Sequence, residues 1–306
     1  MIRKEVFLLL DLRYLTFLEL AKHLNYTKAA KALNYTQPTI TKHIQYIEND
    51  LNTKLVYTQG REVKLTEEGI YLRDRLYELL ETIDTIKQRI EKNNKISINL
   101  GTSRTVGEYY IPNYTPLLSQ NKLHFNLLVE NTDTLLKALE ERSIDCALIS
   151  GPVFEGNGMS KLPFFQDEII LVCDSHHHLA NKTINFEDLY HQKLMIRERG
   201  SGLQQSLTIT FSNMGVPFSK FNNLIYIGNI RLLKEVLYQG ERIGFLYRTS
   251  AQAELDSGKL AQIHIRNLKL LQNYYLVYYD NKKARALIHQ LLKYIQALPK
   301  EKAINP

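Results

Sequence analysis

Between Thr36 and Leu51, Gln37, Thr39, Thr41, Lys42, His43 and Gln45 share one side of a helical period, with no acid before Glu48. Such side chains hydrogen-bond to base edges and phosphates, and a glutamine amide can pair bidentately with adenine in the major groove. A solvated helix would usually interleave Glu with Lys. On the other side Ile40, Ile44, Ile47 and Leu51 recur at helical spacing and form one apolar face. Thr36 is the expected N-cap and Pro38 sits in the first turn, where a missing N–H costs nothing. A shorter helix opens at Asn25, and its Ala29, Ala30, Ala32 and Leu33 allow close helix packing. Asn34-Tyr35 is the turn between them. Two short amphipathic helices also serve as plain packing units, so the polar face carries the DNA-contact reading. The candidate contacts are Thr27, Lys28, Thr36, Gln37, Pro38, Thr39, Thr41 and Lys42.

A second constellation lies past residue 96. Strand-like runs end repeatedly in small polar residues that precede a helix. Thr102 and Ser103 follow Gly101, Asn131 and Thr132 follow the next strand, and Ser150 and Gly151 the third. Arg197, Arg199, Gly200, Ser201 and Gly202 follow Leu194–Ile196, and Gly228 and Asn229 follow Leu224–Ile227. In open α/β sheets, ligands bind beyond the carboxyl ends of strands, at helix N-termini. Free N–H groups, hydroxyls and an arginine suit a small anion. Each residue is equally suited to capping its own helix; the convergence of five loops makes the ligand case. Arg199 is the expected cation, with Arg104 a weaker candidate.

The elements that position these residues follow from pattern. Leu12 to Leu24 reads as a helix supporting the two short ones. Leu55–Tyr57 and Val63–Leu65 flank Gln59-Gly60-Arg61-Glu62 as a hairpin, a wing whose Arg61 and Lys64 are candidates for phosphate or minor-groove contact, a solvated turn charge being the other reading of each. Thr66 caps a helix to about Lys92. Its Leu72, Leu76, Leu79, Ile83, Ile86 and Ile90 recur at alternating spacings of four and three residues, a heptad seam for a partner helix. The simplest partner is a second copy, which would set two reading helices on the half-sites of an interrupted palindrome. Asn93-Asn94-Lys95 then reads as a hinge. Beyond it strands and helices alternate: Ile96–Leu100, a helix to Gln120, Phe125–Val129, Thr134–Glu141, Cys146–Ile149, Ile169–Cys173, Leu194–Ile196, Leu203–Met214, Leu224–Ile227, Ile230–Tyr238, Ile243–Leu246, Tyr274–Tyr279 and Ala284–Leu298. Such alternation predicts a parallel sheet with right-handed crossovers.

Composition sets the frame. The chain has 306 residues, 44% apolar and 23% charged, with a net charge of +7. Residues 20–64 hold seven Lys/Arg against three Asp/Glu, so the positive excess is densest around the two short helices. That favours an anionic partner. Val6–Leu10 is too short an apolar run to span a bilayer, which predicts a cytoplasmic protein without a membrane partner. Cys146 and Cys173 each lie in an apolar run and read as buried thiols, a redox switch or disulfide being the other reading. His176-His177-His178 reads as a surface turn rather than a metal site, and no cofactor motif is present. Gly200-Ser201-Gly202 lacks the spacing of a nucleophile elbow.

Asn25-Tyr26-Thr27-Lys28-Ala29-Ala30, Leu33, Thr36-Gln37-Pro38-Thr39-Ile40-Thr41, Ile44, Ile47-Glu48 and Leu51 resemble the N-terminal domain of a LysR-type transcriptional regulator. The resemblance continues through Leu55, Arg61, Val63, Leu65-Thr66 and Gly69. It departs at Asn52, where the family usually has Gly, at Val56 and Thr58 in place of Phe-x-Arg, and at Glu68 in place of Ala. It implies a multidomain α/β protein with three parts. These are a winged helix-turn-helix (residues 1–68), a dimerisation linker helix and hinge (69–95), and a two-lobed Rossmann-like effector domain similar to type 2 periplasmic binding proteins (96–306). Lobe one would be 96–167 with 269–306, and lobe two 168–268. The implied partners are double-stranded DNA, a small effector, a second copy in a dimer or tetramer, and RNA polymerase. The alternative is a solute-binding or enzymatic α/β protein whose N-terminal helices mediate assembly.

Overall fold

The computed structural model describes residues 10–60, 62–90, 96–114, 123–153, 158–279 and Ile288. It forms two compact units, Met1–Lys95 and Ile96–Pro306.

The first unit runs α1 (Leu12–His23), α2 (Tyr26–Leu33), α3 (Gln37–Asp50), a hairpin of β1 (Val56–Gln59) and β2 (Glu62–Leu65), and α4 (Glu67–Ile90). Each helix starts where a side-chain oxygen accepts from an N–H that has no partner inside the helix. Asp11 accepts from Arg13 N at 2.9 Å, Asn25 from Lys28 N at 3.0 Å, Thr36 from Thr39 N at 3.4 Å and Thr66 from Gly69 N at 3.0 Å. Such caps contribute about 1 kcal/mol each. Leu15, Phe17, Leu20, Ala29, Ile40, Ile44, Ile47 and Leu55 form the core. The buried Glu48 carboxylate accepts from Leu55 N at 2.9 Å and Lys54 Nζ at 2.6 Å, tying the end of α3 to the wing. Gly69 is needed for close approach, since a Cβ there would stand 2.1 Å from the Leu55 carbonyl oxygen.

Three expectations change in this unit. Leu51 is 42% exposed, so the apolar face of α3 ends at Ile47. His43 leaves the polar face: its Nδ1 lies 2.9 Å from Thr16 Oγ1, and its ring meets Tyr35 edge-on. Asn52, in the usual glycine position, has φ 49°, a left-handed conformation that Asn tolerates better than most residues.

The second unit holds β3 (Ile96–Ser103), β4 (Leu123–Glu130), α5 (Thr132–Glu140), β5 (Cys146–Ser150), β6 (Met159–Asp174), β7 (Thr183–Ile184), β8 (Lys193–Arg197), α6 (Gly202–Asn213), β9 (Asn223–Ile227), α7 (Ile230–Leu237), β10 (Ile243–Tyr247), α8 (Arg248–Asp256), β11 (Leu260–Ile265) and β12 (Leu270–Tyr279). The sheet order is β4-β3-β5-β12-β6-β10-β8-β9, with β11 beside β6 and β7 beside β11. β3 is parallel to β4 and β5, and β8 is parallel to β9 and β10. The expected parallel pairing therefore covers each lobe. Between the lobes it gives way to antiparallel pairing, through the two strands that cross, β6 and β12.

Several boundaries differ from the expectation. β6 runs sixteen residues, ten more than the apolar run inside it suggests on its N-terminal side. α8 and β11 carry no strong periodic signal and were not expected. β3 extends through Gly101, Thr102 and Ser103, so these residues are strand rather than loop. Past Arg104 the chain makes a π-turn (Val106–Tyr110) and a 3-10 turn (Ile111–Tyr114) instead of one regular helix. The expected hinge at 93–95, Arg61, and most of the expected helix 284–298 lie outside the described residues. Cys146 and Cys173 are both buried and unpaired with each other. His177 is buried in the turn after β6, where its Nδ1 accepts from Leu179 N at 3.2 Å. Among the described residues, no helix is long and apolar enough to cross a membrane.

Candidate nucleic-acid face and ligand recess

The N-terminal end of α3 is presented outward. Thr36, Gln37, Pro38 and Lys42 are exposed, as are Thr27 and Lys28 on α2. Thr27 Oγ1 donates to Gln37 Oε1 at 3.3 Å, joining the two helix starts. The Gln37 amide keeps its N–H donors and a second lone pair for a base edge. Thr39 is partly engaged with Thr36, their hydroxyls 2.8 Å apart, and Thr41 donates to the Gln37 carbonyl at 3.2 Å. Lys28 and Lys42 have no ion pair among the described residues. Two aromatic side chains, Tyr46 on α3 and Tyr57 on the wing, are also exposed. Arg13 lies 3.5 Å above the ring of the exposed Tyr46, and Tyr57 on the wing is 48% exposed opposite Lys64. Lys64 Nζ donates to Gln59 Oε1 at 2.6 Å across the wing.

The heptad seam on α4 divides. Leu76 is 5% exposed and belongs to the core of its own unit, and Leu72 packs beside it. Ile83 is also buried. Leu79 and Ile86, seven residues apart on one line of the helix, are 43% and 46% exposed. The Ile90 side chain lies outside the described residues.

In the second unit the strand ends converge on one recess, lined by Ser103, Arg104, Thr105, Asn131, Thr132, Ser150, Arg197, Ser201, Gly202 and Leu203. The space inside is about 10 Å³, room for about one water molecule. Ser103 Oγ lies 3.0 Å from Ser150 Oγ and accepts from Ser150 N at 3.1 Å. Asn131 caps α5 through Thr134 N at 2.9 Å, and Ser201 caps α6 through Gln204 N at 3.3 Å. Both helices thus aim their positive ends at the recess. Thr132 Oγ1 is buried there and has no hydrogen-bond partner among the described residues.

The lobes meet across this recess. A Cβ on Gly202 would stand 1.6 Å from the Ser150 carbonyl oxygen, and one on Gly151 (φ 116°) would stand 2.4 Å from Gly202 Cα. Asp133 N donates to the Gly200 carbonyl at 3.2 Å, and Gln205 Nε2 to Asp133 Oδ1 at 2.6 Å. Glu198 binds two arginines. Arg104 Nη1 reaches Glu198 Oε1 at 3.0 Å, and Arg197 Nε reaches Oε2 at 2.9 Å.

Half of the expected ligand set lines this recess: Ser103, Asn131, Thr132, Ser150 and Ser201. The other half does not. Arg199 is exposed, its guanidinium carbon 5.6 Å from the Tyr226 ring centroid. The cations of the recess are instead Arg104, the weaker candidate of the sequence, and Arg197, which is 3% exposed at the last position of β8. The strand end was the available signal, since ligands sit at carboxyl ends of strands and Arg199 lies two residues further on. Thr102 turns its hydroxyl toward Gly107, where an added Cβ would lie 2.5 Å away. Gly151 seals the closure, the Gly228 carbonyl accepts from Arg104, and Asn229 caps α7 through Leu232 N.

A winged helix-turn-helix unit followed by a two-lobed α/β unit defines a ligand-responsive DNA-binding regulator. Residues 12–70 match the family model described as bacterial regulatory helix-turn-helix protein, lysR family, and residues 93–299 match the LysR substrate binding domain. The chain belongs to the LysR family of DNA-binding transcriptional regulators with an effector-binding domain. It is 27% identical to the HTH-type transcriptional regulator CysL of Bacillus subtilis, over 84% of this chain and 88% of that one. It is 24% identical to a probable RuBisCO transcriptional regulator of Thalassiosira pseudonana, over 76% and 80%. A full-length OxyR variant of Pseudomonas aeruginosa shares the fold, with a TM-score of 0.63 at 16% identity over 97% and 98%. So does full-length CbnR complexed with its target DNA, with a TM-score of 0.54 at 16% identity over 93% and 98%.

Proposed function

We propose that the recess takes a small oxyanion or carboxylate and that this anion is the effector. Thr132 carries the reading. A buried hydroxyl without a partner costs about 1–3 kcal/mol, and an anion oxygen there would remove that cost. Two helix N-termini, Ser103, Ser150, Ser201 and Arg197 support the same sign of ligand. Hydroxyls, amides and arginines of this kind hold an anion rather than turn it over, so the protein acts by binding. At about 10 Å³ the recess is smaller than a sulfate, and the lobes must part for entry. The effector thereby selects between lobe arrangements.

The rest of the proposal concerns the DNA side. Gln37, Thr39, Thr41 and Lys42, with Thr27, Lys28, Thr36 and Pro38, contact one half-site of an interrupted palindrome, and the wing adds Lys64 and Arg61. The linker helix, 69–95, pairs two chains through the exposed Leu79 and Ile86, while Leu72 and Leu76 serve the core of their own unit. Pairs of dimers form a tetramer whose geometry alters DNA bending and contact with RNA polymerase.

Two experiments on the full-length protein test this. In thermal melts, sulfate is expected to raise Tm more in the native protein than in Thr132→Val or Arg197→Met. General salting effects act on all three alike, so equal shifts would reject the anion site. In gel shifts, Gln37→Ala is expected to relax base preference by about 1–3 kcal/mol at one position. Lys42→Ala should weaken all sequences and reduce the salt slope by about 1. Unchanged affinity and preference in both variants would reject the reading face.

A further inference from the structure

Tyr247 ends β10 with its side chain fully enclosed, and its Oη has no hydrogen-bond partner among the described residues. Ser206 and Ser150 are polar neighbours of that hydroxyl, but neither completes a hydrogen bond with it. Ser206 Oγ instead donates to the Gly202 carbonyl and to Gln272 Oε1, both at 2.8 Å, and Ser150 Oγ lies 3.0 Å from Ser103 Oγ. Burial pushes the Tyr247 phenol above its usual range, so it stays protonated and remains a donor. The ring has a packing role, meeting the Tyr274 ring edge-on at 5.3 Å. The hydroxyl has none, and a buried donor without an acceptor is destabilising.

That hydroxyl has a neighbour in each lobe, Ser150 in lobe one and Ser206 in lobe two. Ser150 lines the effector recess, and so does Gly202, whose carbonyl Ser206 holds. These two backbones shut the recess, since a Cβ on Gly202 would stand 1.6 Å from the Ser150 carbonyl oxygen. Arg197, the buried cation of the recess, is near enough to act on the same phenol. The surroundings of the two unpaired hydroxyls differ. Thr132 Oγ1 lies among helix starts and arginines, which suit a negative charge. Tyr247 Oη is enclosed and near Asp167, which accepts from Tyr274 Oη at 2.7 Å. A second charge would be buried beside that carboxyl group, whereas a neutral oxygen would only complete a hydrogen bond.

We infer that Tyr247 is a specificity-determining residue of the effector recess, its hydroxyl donating to a neutral oxygen on a small carboxylate whose charged group lies at the Thr132 end. This rests on the proposed anion site and narrows it. When the lobes part at Ser150 and Gly202, the recess gains Tyr247 Oη as a second donor. The effector is then a short monocarboxylate carrying a carbonyl or hydroxyl group, not a bare oxyanion or a dicarboxylate. A site built to pair such a group rejects the analogue without it, because its own donor is left unpaired.

Calorimetry on the full-length protein tests this with two matched pairs, pyruvate against propanoate and 4-oxopentanoate against pentanoate, and with succinate and sulfate. At least one oxo acid is expected to bind about tenfold tighter than its unsubstituted counterpart and than succinate. Tyr247→Phe keeps the ring and is expected to abolish that preference while leaving sulfate binding unchanged. Thr132→Val is expected to weaken both the oxo acid and sulfate. Without ligand, Tyr247→Phe should melt at or above the native temperature, because it loses an unpaired buried hydroxyl. A lower melting temperature would give the hydroxyl a structural role and overturn the inference. An unchanged preference in Tyr247→Phe, with sulfate still weakened by Thr132→Val, would overturn it and leave the anion site standing. Sulfate binding indifferent to Thr132→Val would overturn both. No preference in either pair, or tightest binding of succinate, would overturn the role of Tyr247 as well.

Discussion

Arg104 follows β3 in one lobe and Glu198 follows β8 in the other, and they meet at 3.0 Å across the recess. Arg197 holds the same carboxylate from its own lobe. Glu198 therefore supplies an internal negative charge where an anionic effector is proposed to bind. An entering anion must compete with it for both guanidinium groups. Glu198→Gln keeps the shape and removes the charge. It is expected to tighten sulfate binding about threefold to tenfold, read by calorimetry. Weaker sulfate binding in this variant would show that Glu198 organises the arginines instead of competing for them.

Gly202 closes the recess by backbone contact. An added Cβ would overlap the Ser150 carbonyl oxygen at 1.6 Å, and neither side is a flexible side chain. Gly202→Ala is therefore expected to prop the lobes apart or to destabilise the unit by about 1–3 kcal/mol. Small-angle scattering and urea melts measure the two effects. A variant with native dimensions and stability would contradict the closeness of this contact.

Leu79 and Ile86 lie exposed on the line of α4 that a partner helix is proposed to cover. Leu79→Glu with Ile86→Glu should convert a sedimenting dimer toward monomer without unfolding the first unit. Leu76→Ala, by contrast, removes a core side chain and should cost that unit about 2–5 kcal/mol. A double variant that remains fully dimeric would exclude this line as the interface.

Burial, and then the nearby Arg13 guanidinium, hold the His43 pKa below its ordinary 6.5. As pH falls, the unfolded chain takes up this proton before the folded one does. The stabilising neutral His43 is thus fully effective above about pH 6.5, and stability falls as pH drops from there toward the folded pKa. His43→Gln should flatten this part of the profile, seen in urea midpoints between about pH 7.5 and 5. An identical pH slope in both proteins would count against the assignment.

Cys173 sits in the core on β6, where burial pushes its thiol pKa up to about 12. Cys146 is equally enclosed. Neither should react with iodoacetamide in the native protein, and both should react once it is unfolded. Rapid labelling of either thiol under native conditions, detected by mass spectrometry, would reopen the redox reading.

Local order in this chain is written in local signals. Asn25, Thr36 and Thr66 cap the helices they precede, and Ile40, Ile44 and Ile47 bury the face their spacing marks, because caps and helical faces depend on residues a few positions apart. The alternation of strands and helices likewise carries the parallel pairing within each lobe. The LysR resemblance of the N-terminal residues agrees with the family matches. Other features depend on residues far apart in the chain. Glu198 holds Arg197 beside it and also Arg104, ninety-four positions away in sequence, so the charge balance of the recess is set by a distant residue. His43 leaves the reading face because Thr16 offers it a partner, and Leu76 leaves the seam because the core of its own unit takes it in. The long crossing strand β6 shows its length only once β12 and β10 supply partners for its two ends. Periodicity and capping give each side chain a direction, but only the tertiary structure decides which distant groups lie there to meet it.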